Sequence, residues 1–153
     1  MTKAAIFDMD GTLCDVSSVR YHVNPKDPRF SGRKRFDRFH AGSIDCPANG
    51  TALTYYLQAR NEGLAILVVT ARKVFWRYTT IVWLRENQIH YDELYMRRNT
   101  DNRVDVECKR AILSDIRRDG YDPVMAVDDN PAIIDLWRGE GIPTHVIAGW
   151  EED

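Results

Sequence analysis

Asp8 and Asp10 stand two residues apart in the run Asp8-Met9-Asp10-Gly11-Thr12, and Asp128 and Asp129 are adjacent in Asp128-Asp129-Asn130-Pro131. Each pair directly follows a short apolar run, residues 4–7 and 124–127, and a third run, residues 64–69, ends on Thr70-Ala71-Arg72. If these runs are strands of one open parallel sheet, their carboxyl ends line a common crevice. Four carboxylates then meet in one place. Crowded carboxylates raise each other's pKa unless a cation is present. A hard divalent ion with oxygen ligands resolves that conflict, and Mg²⁺ is the usual ion beside phosphate. No His or Cys stands at these strand ends, which disfavours zinc.

The two-residue offset within the first pair has a chemical use. Asp8 is placed to attack as a nucleophile, and Asp10, displaced along the backbone, to protonate the leaving oxygen and later activate water. Gly11 lets the chain turn sharply out of the strand. Thr70 offers a hydroxyl and a backbone N–H to phosphoryl oxygens, and Lys109 a fixed positive charge. Each residue also has a plain structural reading. An Asp pair after a strand can be a turn or, with Asn130 before Pro131, a helix N-cap. A lone Thr70 can be a strand-end hydroxyl, and a lone Lys109 a solvated lysine. Their joint occurrence at several strand ends favours chemistry, with capping left to Asn130.

Five apolar runs predict strands: residues 4–7, 64–69, 94–96, 124–127 and 145–148. Their hydrophobicity is continuous rather than alternating, as in strands covered on both faces. Helical patterns separate most of them. Residues 47–60 place Leu53, Tyr56 and Leu57 on one side, residues 74–87 align Phe75, Tyr78 and Val82, and residues 105–118 align Ile112, Leu113 and Ile116. A short helix is expected from Pro131 to about Gly139. Strand alternating with helix implies right-handed crossovers and a three-layer, Rossmann-like α/β sandwich around a central, mainly parallel five-stranded sheet.

Bulk properties narrow the classes further. The 153 residues suit one domain spanning 1–153 with its own core, and 44% hydrophobic and 29% charged residues are ordinary for a soluble protein. A net charge of −2 gives no global attraction to nucleic acid or membrane, so any such attraction is local. Three scattered cysteines, Cys14, Cys46 and Cys108, form no CxxC pair and argue against a disulfide framework. With no membrane-length apolar run and no leader pattern, a reduced, cytoplasmic setting is expected.

Residues 16–46 break the strand-helix rhythm and are expected to form a flap or minimal cap rather than a large cap. Within them, Arg29, Arg33, Lys34, Arg35 and Arg38 alternate with Phe30, Phe36 and Phe39. Basic residues among aromatics can follow a nucleic acid backbone and stack its bases. The equal alternative is a flap whose phenylalanines pack inward while the arginines face water. Asp27 and Asp37 dilute the positive charge. Arg97 and Arg98, beside the expected third strand end, are further candidates for a second phosphate or a backbone.

Asp8-Met9-Asp10-Gly11-Thr12-Leu13 resembles the first signature of the haloacid dehalogenase superfamily, and Thr70, Lys109 and Asp128-Asp129 resemble its second, third and fourth. A closer resemblance is to the phosphatase domain of bacteriophage-type polynucleotide kinase-phosphatases. Val69-Thr70-Ala71-Arg72, residues 96–109 and Met125-Ala126-Val127-Asp128-Asp129 carry it, over about residues 1–14 and 50–150. Trp137 and Trp150 fit the same pattern. The resemblance implies Mg²⁺ held by Asp8, the backbone carbonyl of Asp10, Asp128 and Asp129, the last directly or through water. It also implies an Arg103…Asp105…Lys109 element in which Asp105 orients the lysine, with Arg72 contacting phosphate or bracing the site. The kinase half is not represented, since no GxxxxGK[ST] loop occurs.

The expected activity is phosphate monoester hydrolysis through an aspartyl-phosphate, with a 3′-phosphorylated nucleic acid end as substrate and a separate kinase or ligase as partner. Two alternatives stand beside it. One is a small-molecule phosphatase acting on nucleotides or sugar phosphates, with residues 16–46 as a lid. The other is an inactive nucleic-acid-binding subunit, against which the full motif set speaks.

Overall fold

The computed structural model describes residues 1–148. Five strands, β1 (Thr2–Phe7), β2 (Ala65–Lys73), β3 (Glu93–Arg97), β4 (Tyr121–Asp128) and β5 (Thr144–Val146), form one sheet in the order β3-β2-β1-β4-β5. Every pairing is parallel. β1 is central because Ala4, Ala5, Ile6 and Phe7 are wholly buried, and only a strand covered on both faces tolerates such a run. The chain lays β2 and β3 on one side of β1, then crosses to β4 and β5 on the other. The crevice at the carboxyl ends of β1 and β4 is therefore the topological switch point.

Alternate residues of β1 feed two cores. Ala5 and Phe7 join Tyr56, Trp83 and Leu84 on one face, and Ala4 and Ile6 join Ile112, Leu113, Ile116 and Trp137 on the other. The first core is covered by α2 (Gly50–Asn61) and α3 (Arg77–Glu86), the second by α4 (Asp105–Arg118) and α5 (Pro131–Gly139). This is the expected three-layer α/β sandwich. Asn49 and Asn130 cap α2 and α5, their side chains accepting from the Ala52 and Ala132 N–H groups at 3.0 Å.

Two helix faces differ from expectation. Residues 74–87 are not one helix: Val74–Trp76 is a 3-10 turn and α3 starts at Arg77. The Phe75 N–H donates to Asn99 Oδ1 at 2.8 Å, which ties this turn to the loop after β3. The helix phase shifts with it, so Phe75 and Tyr78 are 74% and 78% exposed while Thr80, Trp83 and Leu84 face inward. In α2 the inward face is Ala52, Tyr56 and Ala59, and Leu57 is exposed. The Tyr56 hydroxyl fixes that choice by donating to His90 O and accepting from His90 N–H. β5 is shorter than its apolar run, and Trp150 lies outside the described residues.

Residues 16–46 form a packed flap with a 3-10 turn, Arg20–His22, and a helix, α1 (Phe36–Ser43). Val16, Val23, Phe39 and Cys46 bury in the first core, and the Trp83 indole donates to Cys46 O at 2.8 Å. No helix of the described residues is long and apolar enough to cross a membrane.

Candidate active site

The first turn after β1 sets the site. Gly11 has φ +82, and the Thr12 and Cys14 N–H groups both donate to Met9 O. Only a glycine serves at this position for two reasons: the left-handed φ, and a Cβ that would overlap Asp129 Oδ2. The tight turn points the Thr12 hydroxyl at Asp8 Oδ2 (3.2 Å) and Asp129 Oδ1 (2.9 Å).

Asp8, Asp128 and Asp129 are all buried and present carboxylate oxygens within 4.8 Å of one another. Asp128 is fixed by its neighbours: its Oδ1 accepts from the Asp129 and Asn130 N–H groups, and its Oδ2 from the Trp137 indole at 3.4 Å. Lys109, projecting from α4, donates to Asp8 Oδ1 at 2.7 Å and Asp128 Oδ2 at 3.3 Å. Burial pushes Asp8 up to about 6, helped by the Asp128 charge and opposed by Lys109. Asp129 is pushed up to about 8 by burial and then by Asp8. Asp128 is raised for the same first reason. Lys109 is held well above its ordinary value: burial acts against the ammonium, but Asp128 and Asp8 outweigh it.

Three buried carboxylates against one ammonium leave excess negative charge. Asp129 Oδ2 is buried with no hydrogen-bond partner, and it lies against the space that the missing Gly11 side chain leaves open. An all-oxygen donor set with an unpaired buried carboxylate oxygen fits a hard divalent cation. Asp8, Asp128 and Asp129 are the residues that could hold one. The Asp10 carboxylate is committed elsewhere, so Asp10 would join through its backbone carbonyl only.

That commitment is to Arg72. The guanidinium forks onto the Asp10 carboxylate, with the Nε bond at 2.9 Å, and also donates to Ser43 Oγ (2.9 Å) and Thr80 Oγ1 (3.0 Å). Burial would raise Asp10, but Arg72 outweighs it and holds the carboxyl below its ordinary value. Asp10, Ser43 and Thr80 thus all hold the Arg72 guanidinium, which also lines the cavity beside Asp8. Thr70, three residues before the end of β2, is buried beside it, and its Oγ1 accepts from the Arg72 N–H at 3.1 Å.

Two expected roles change. Asp105 does not orient Lys109; its Oδ1 accepts from Arg97 Nη2 at 2.7 Å. Arg97 is not presented to a second phosphate: it is buried and donates to the carbonyls of Ala71, Asp101 and Arg103 besides Asp105. It folds the segment between β3 and α4 against the end of β2. Arg103 remains exposed, paired with Asp101 at 2.9 Å. In the flap, Arg29 and Arg35 are paired with Asp27 and Asp37. Phe39 is core, as the inward-packing reading had it, but Phe36 is 52% exposed.

Asp8, Asp10, Thr70, Arg72, Arg97, Arg103, Asp105, Lys109 and Asp129 all line one cavity of about 600 Å³. Sequence reasoning missed several of its neighbours. Thr12 stood inside the quoted motif without a role. Ser43 and Thr80 carried no signal, being single hydroxyls in α1 and α3. His40 was hidden in the irregular stretch, yet it is 8% exposed and its Nδ1 lies 3.9 Å from Asp10 Oδ2. Burial pushes its imidazole down to about 4.

The profile of the family described as the polynucleotide kinase PNKP phosphatase domain matches residues 2–149. The chain belongs to that family. It is thus a phosphatase-family member of the haloacid dehalogenase type, as its four motifs implied. Among solved structures it is similar to a chain of the Pnkp1/Rnl/Hen1 RNA repair complex, with 25% identity and a TM-score of 0.76 over 99% of this chain and 44% of that one. A second structure of the Pnkp1/Rnl/Hen1 complex gives 24% identity and a TM-score of 0.78, over 99% and 48%. This phosphatase-family chain therefore spans less than half the length of those relatives. The class C acid phosphatase from Bacillus anthracis with tungstate bound shares the fold, at 17% identity and a TM-score of 0.64 over 86% of this chain and 53% of that one. No curated protein matches the sequence.

Proposed function

We propose that this chain removes 3′-phosphates from nucleic acid ends, using Asp8 as nucleophile and Mg²⁺ as cofactor. The observation that carries the reading is the placement of Asp8. Its Oδ1 is pinned by Lys109 and its Oδ2 by Thr12, in the lining of a cavity that Lys34, Lys73 and Arg103 also line. A cavity with basic residues in its lining suits a polyanion better than a compact metabolite. The match to the PNKP phosphatase domain supports the same substrate class.

In this reading Asp8 attacks phosphorus, forming an aspartyl-phosphate while the bond to the 3′-oxygen breaks and Asp10 gives that oxygen a proton. A water then attacks the aspartyl-phosphate, Asp10 takes its proton, and inorganic phosphate leaves. Bound Mg²⁺ would neutralise charge on the phosphoryl oxygens beside Asp8, Asp128 and Asp129. Thr70 and Lys109 stabilise the transferring group. Asp10 rests ionised against Arg72, which suits the second step. For the first, an arriving phosphate competes for the guanidinium and so lets Asp10 take up a proton. The product, a 3′-hydroxyl end, is what a ligase joins. The similarity to a chain of an RNA repair complex supports work beside separate kinase or ligase enzymes.

The test is Mg²⁺-dependent phosphate release from a 3′-phosphorylated oligonucleotide, beside its 5′-phosphate isomer and a 3′-mononucleotide. Preference for the 3′-phosphorylated oligomer is expected. Equal or better turnover of the mononucleotide would replace this reading with a small-molecule phosphatase, the flap acting as its lid.

A further inference from the structure

The aromatic residues of the flap divide between two fates. Phe39 is sealed in the core at 3% exposure, whereas Phe36, on the first turn of α1, is half exposed and lines the same cavity as Asp8 and Asp10. Next to it the rings continue: Phe36 to His40 at 6.2 Å between centroids, His40 to Trp76 at 5.4 Å, and Trp76 to Phe75 at 5.2 Å. His40 and Trp76 line the cavity too, and Lys34 stands two residues before Phe36 on the same wall. An aromatic series whose two ends, Phe36 and Phe75, are exposed and which adjoins the Asp8 cavity is not explained by core packing alone.

A second observation points to a ligand here. His40 Nδ1 is buried and has no hydrogen-bond partner; Asp10 Oδ2, at 3.9 Å, is too far for one. A buried polar nitrogen without a partner carries an energetic penalty that a bound group can lift. In the mechanism proposed above Asp10 serves the ester oxygen, which puts the neighbouring His40 on the side of the leaving group.

We propose that Phe36, His40 and Trp76 form a subsite for the nucleoside that carries the scissile phosphate, its base stacked on Phe36 and Trp76 and its polar edge or sugar bonded to His40 Nδ1. This rests on the 3′-end reading above and adds to it what the enzyme recognises in the end: a base at the terminal position. Lys34 meets the backbone phosphate on the next nucleotide. Sequence tolerance follows, because every base has a stacking face.

The experiment compares kcat/KM on three substrates: an oligonucleotide with a 3′-phosphorylated terminal nucleoside, the same oligonucleotide with an abasic 3′-phosphorylated terminus, and glycerol phosphate. Stacking of one base corresponds to about a 5- to 150-fold preference for the intact end over the abasic one. F36A should bring that ratio close to one, F36W should retain it, and W76A should lower it. Phe36 is exposed enough that F36A is expected to fold, which circular dichroism checks. Equal turnover of intact and abasic ends by the wild-type protein would overturn the subsite while leaving the 3′-end reading intact. So would an unchanged ratio in F36A and W76A. Turnover of glycerol phosphate with none of either oligonucleotide would overturn both.

Discussion

Removing divalent cations should make the protein's stability fall as pH rises from about 5 to 8.5. Asp8 is pushed up to about 6 and Asp129 to about 8, with Asp128 raised as well, chiefly by burial. In the unfolded chain these carboxyls release their protons near the ordinary 3.8. Between those limits the folded protein binds more protons than the unfolded one. The stability this brings is fully present below the unfolded value and is lost as pH climbs through the folded values. For Asp129, whose folded value lies inside this window, the loss between pH 5.5 and 8.5 is ~3 kcal/mol; Asp8 loses most of its contribution at the acid end, below pH 6. Asp8 does not add to it independently, because Thr12 links the two carboxyls. In a chain of this size ~3 kcal/mol corresponds to roughly 6–12 °C in Tm. A divalent cation replaces the missing protons, and at a hundred times its Kd it returns about 2.7 kcal/mol. Calorimetry in chelator and in Mg²⁺ at pH 5.5, 7.0 and 8.5 measures both effects. A flat Tm in chelator, or a Mg²⁺ gain equal at pH 5.5 and 8.5, would refute the charge argument. Asp10, Asp37 and Asp101, which are held low, lose their contribution only at more acid pH; His40, pushed down to about 4, gains stability as pH rises toward 6.5 and offsets part of the fall at the acid end of the window.

Asp8→Asn should lower turnover by ~10⁴-fold or more with an unchanged circular dichroism spectrum; substantial residual activity would exclude Asp8 as nucleophile. Gly11→Ala should cost ~1–2 kcal/mol through its positive φ and crowd Asp129, so the Mg²⁺ concentration for half-maximal activity should rise several-fold; an unchanged Mg²⁺ titration would show that Asp129 yields freely. Arg72→Met should destabilise by ~3–5 kcal/mol, because it strands the Asp10 carboxylate. Adding Asp10→Asn should restore much of that stability but no activity, and strictly additive losses in the double mutant would mean the pair is not coupled.

The strands and the carboxylate cluster were legible because both are written in consecutive residues. A run such as Ala4 to Phe7 states its own burial, and Asp8-Met9-Asp10-Gly11-Thr12 states its own turn. Contacts that join distant segments were not legible. Nothing near Arg72 announces that it will clasp Asp10, sixty-two residues earlier in the chain. The resemblance implied that Asp105 orients Lys109, yet Arg97 reaches Asp105 from the end of β3 and Lys109 turns to β1 and β4. The phase of α3 was lost for a related reason: one hydrogen bond from Phe75 to Asn99 sets a turn that apolar periodicity does not register. His40 went unseen because a lone histidine in an aperiodic stretch carries no pattern.

The position of β1 also sets a hazard during synthesis. β1 is made first, but its second neighbour, β4, begins only at Tyr121. At ribosomal speeds β1 therefore waits on the order of ten seconds with one edge unpaired. Over the same interval Ala4 and Ile6 lack the cover that α4 and α5 later provide. A half-made chain thus exposes an open, apolar strand edge of the kind that recruits other chains. Nascent chains stalled before β4 should need a chaperone or aggregate, whereas chains extended through α5 should pair the open edge of β1 and bring Asp8, Asp128 and Asp129 together in the same event.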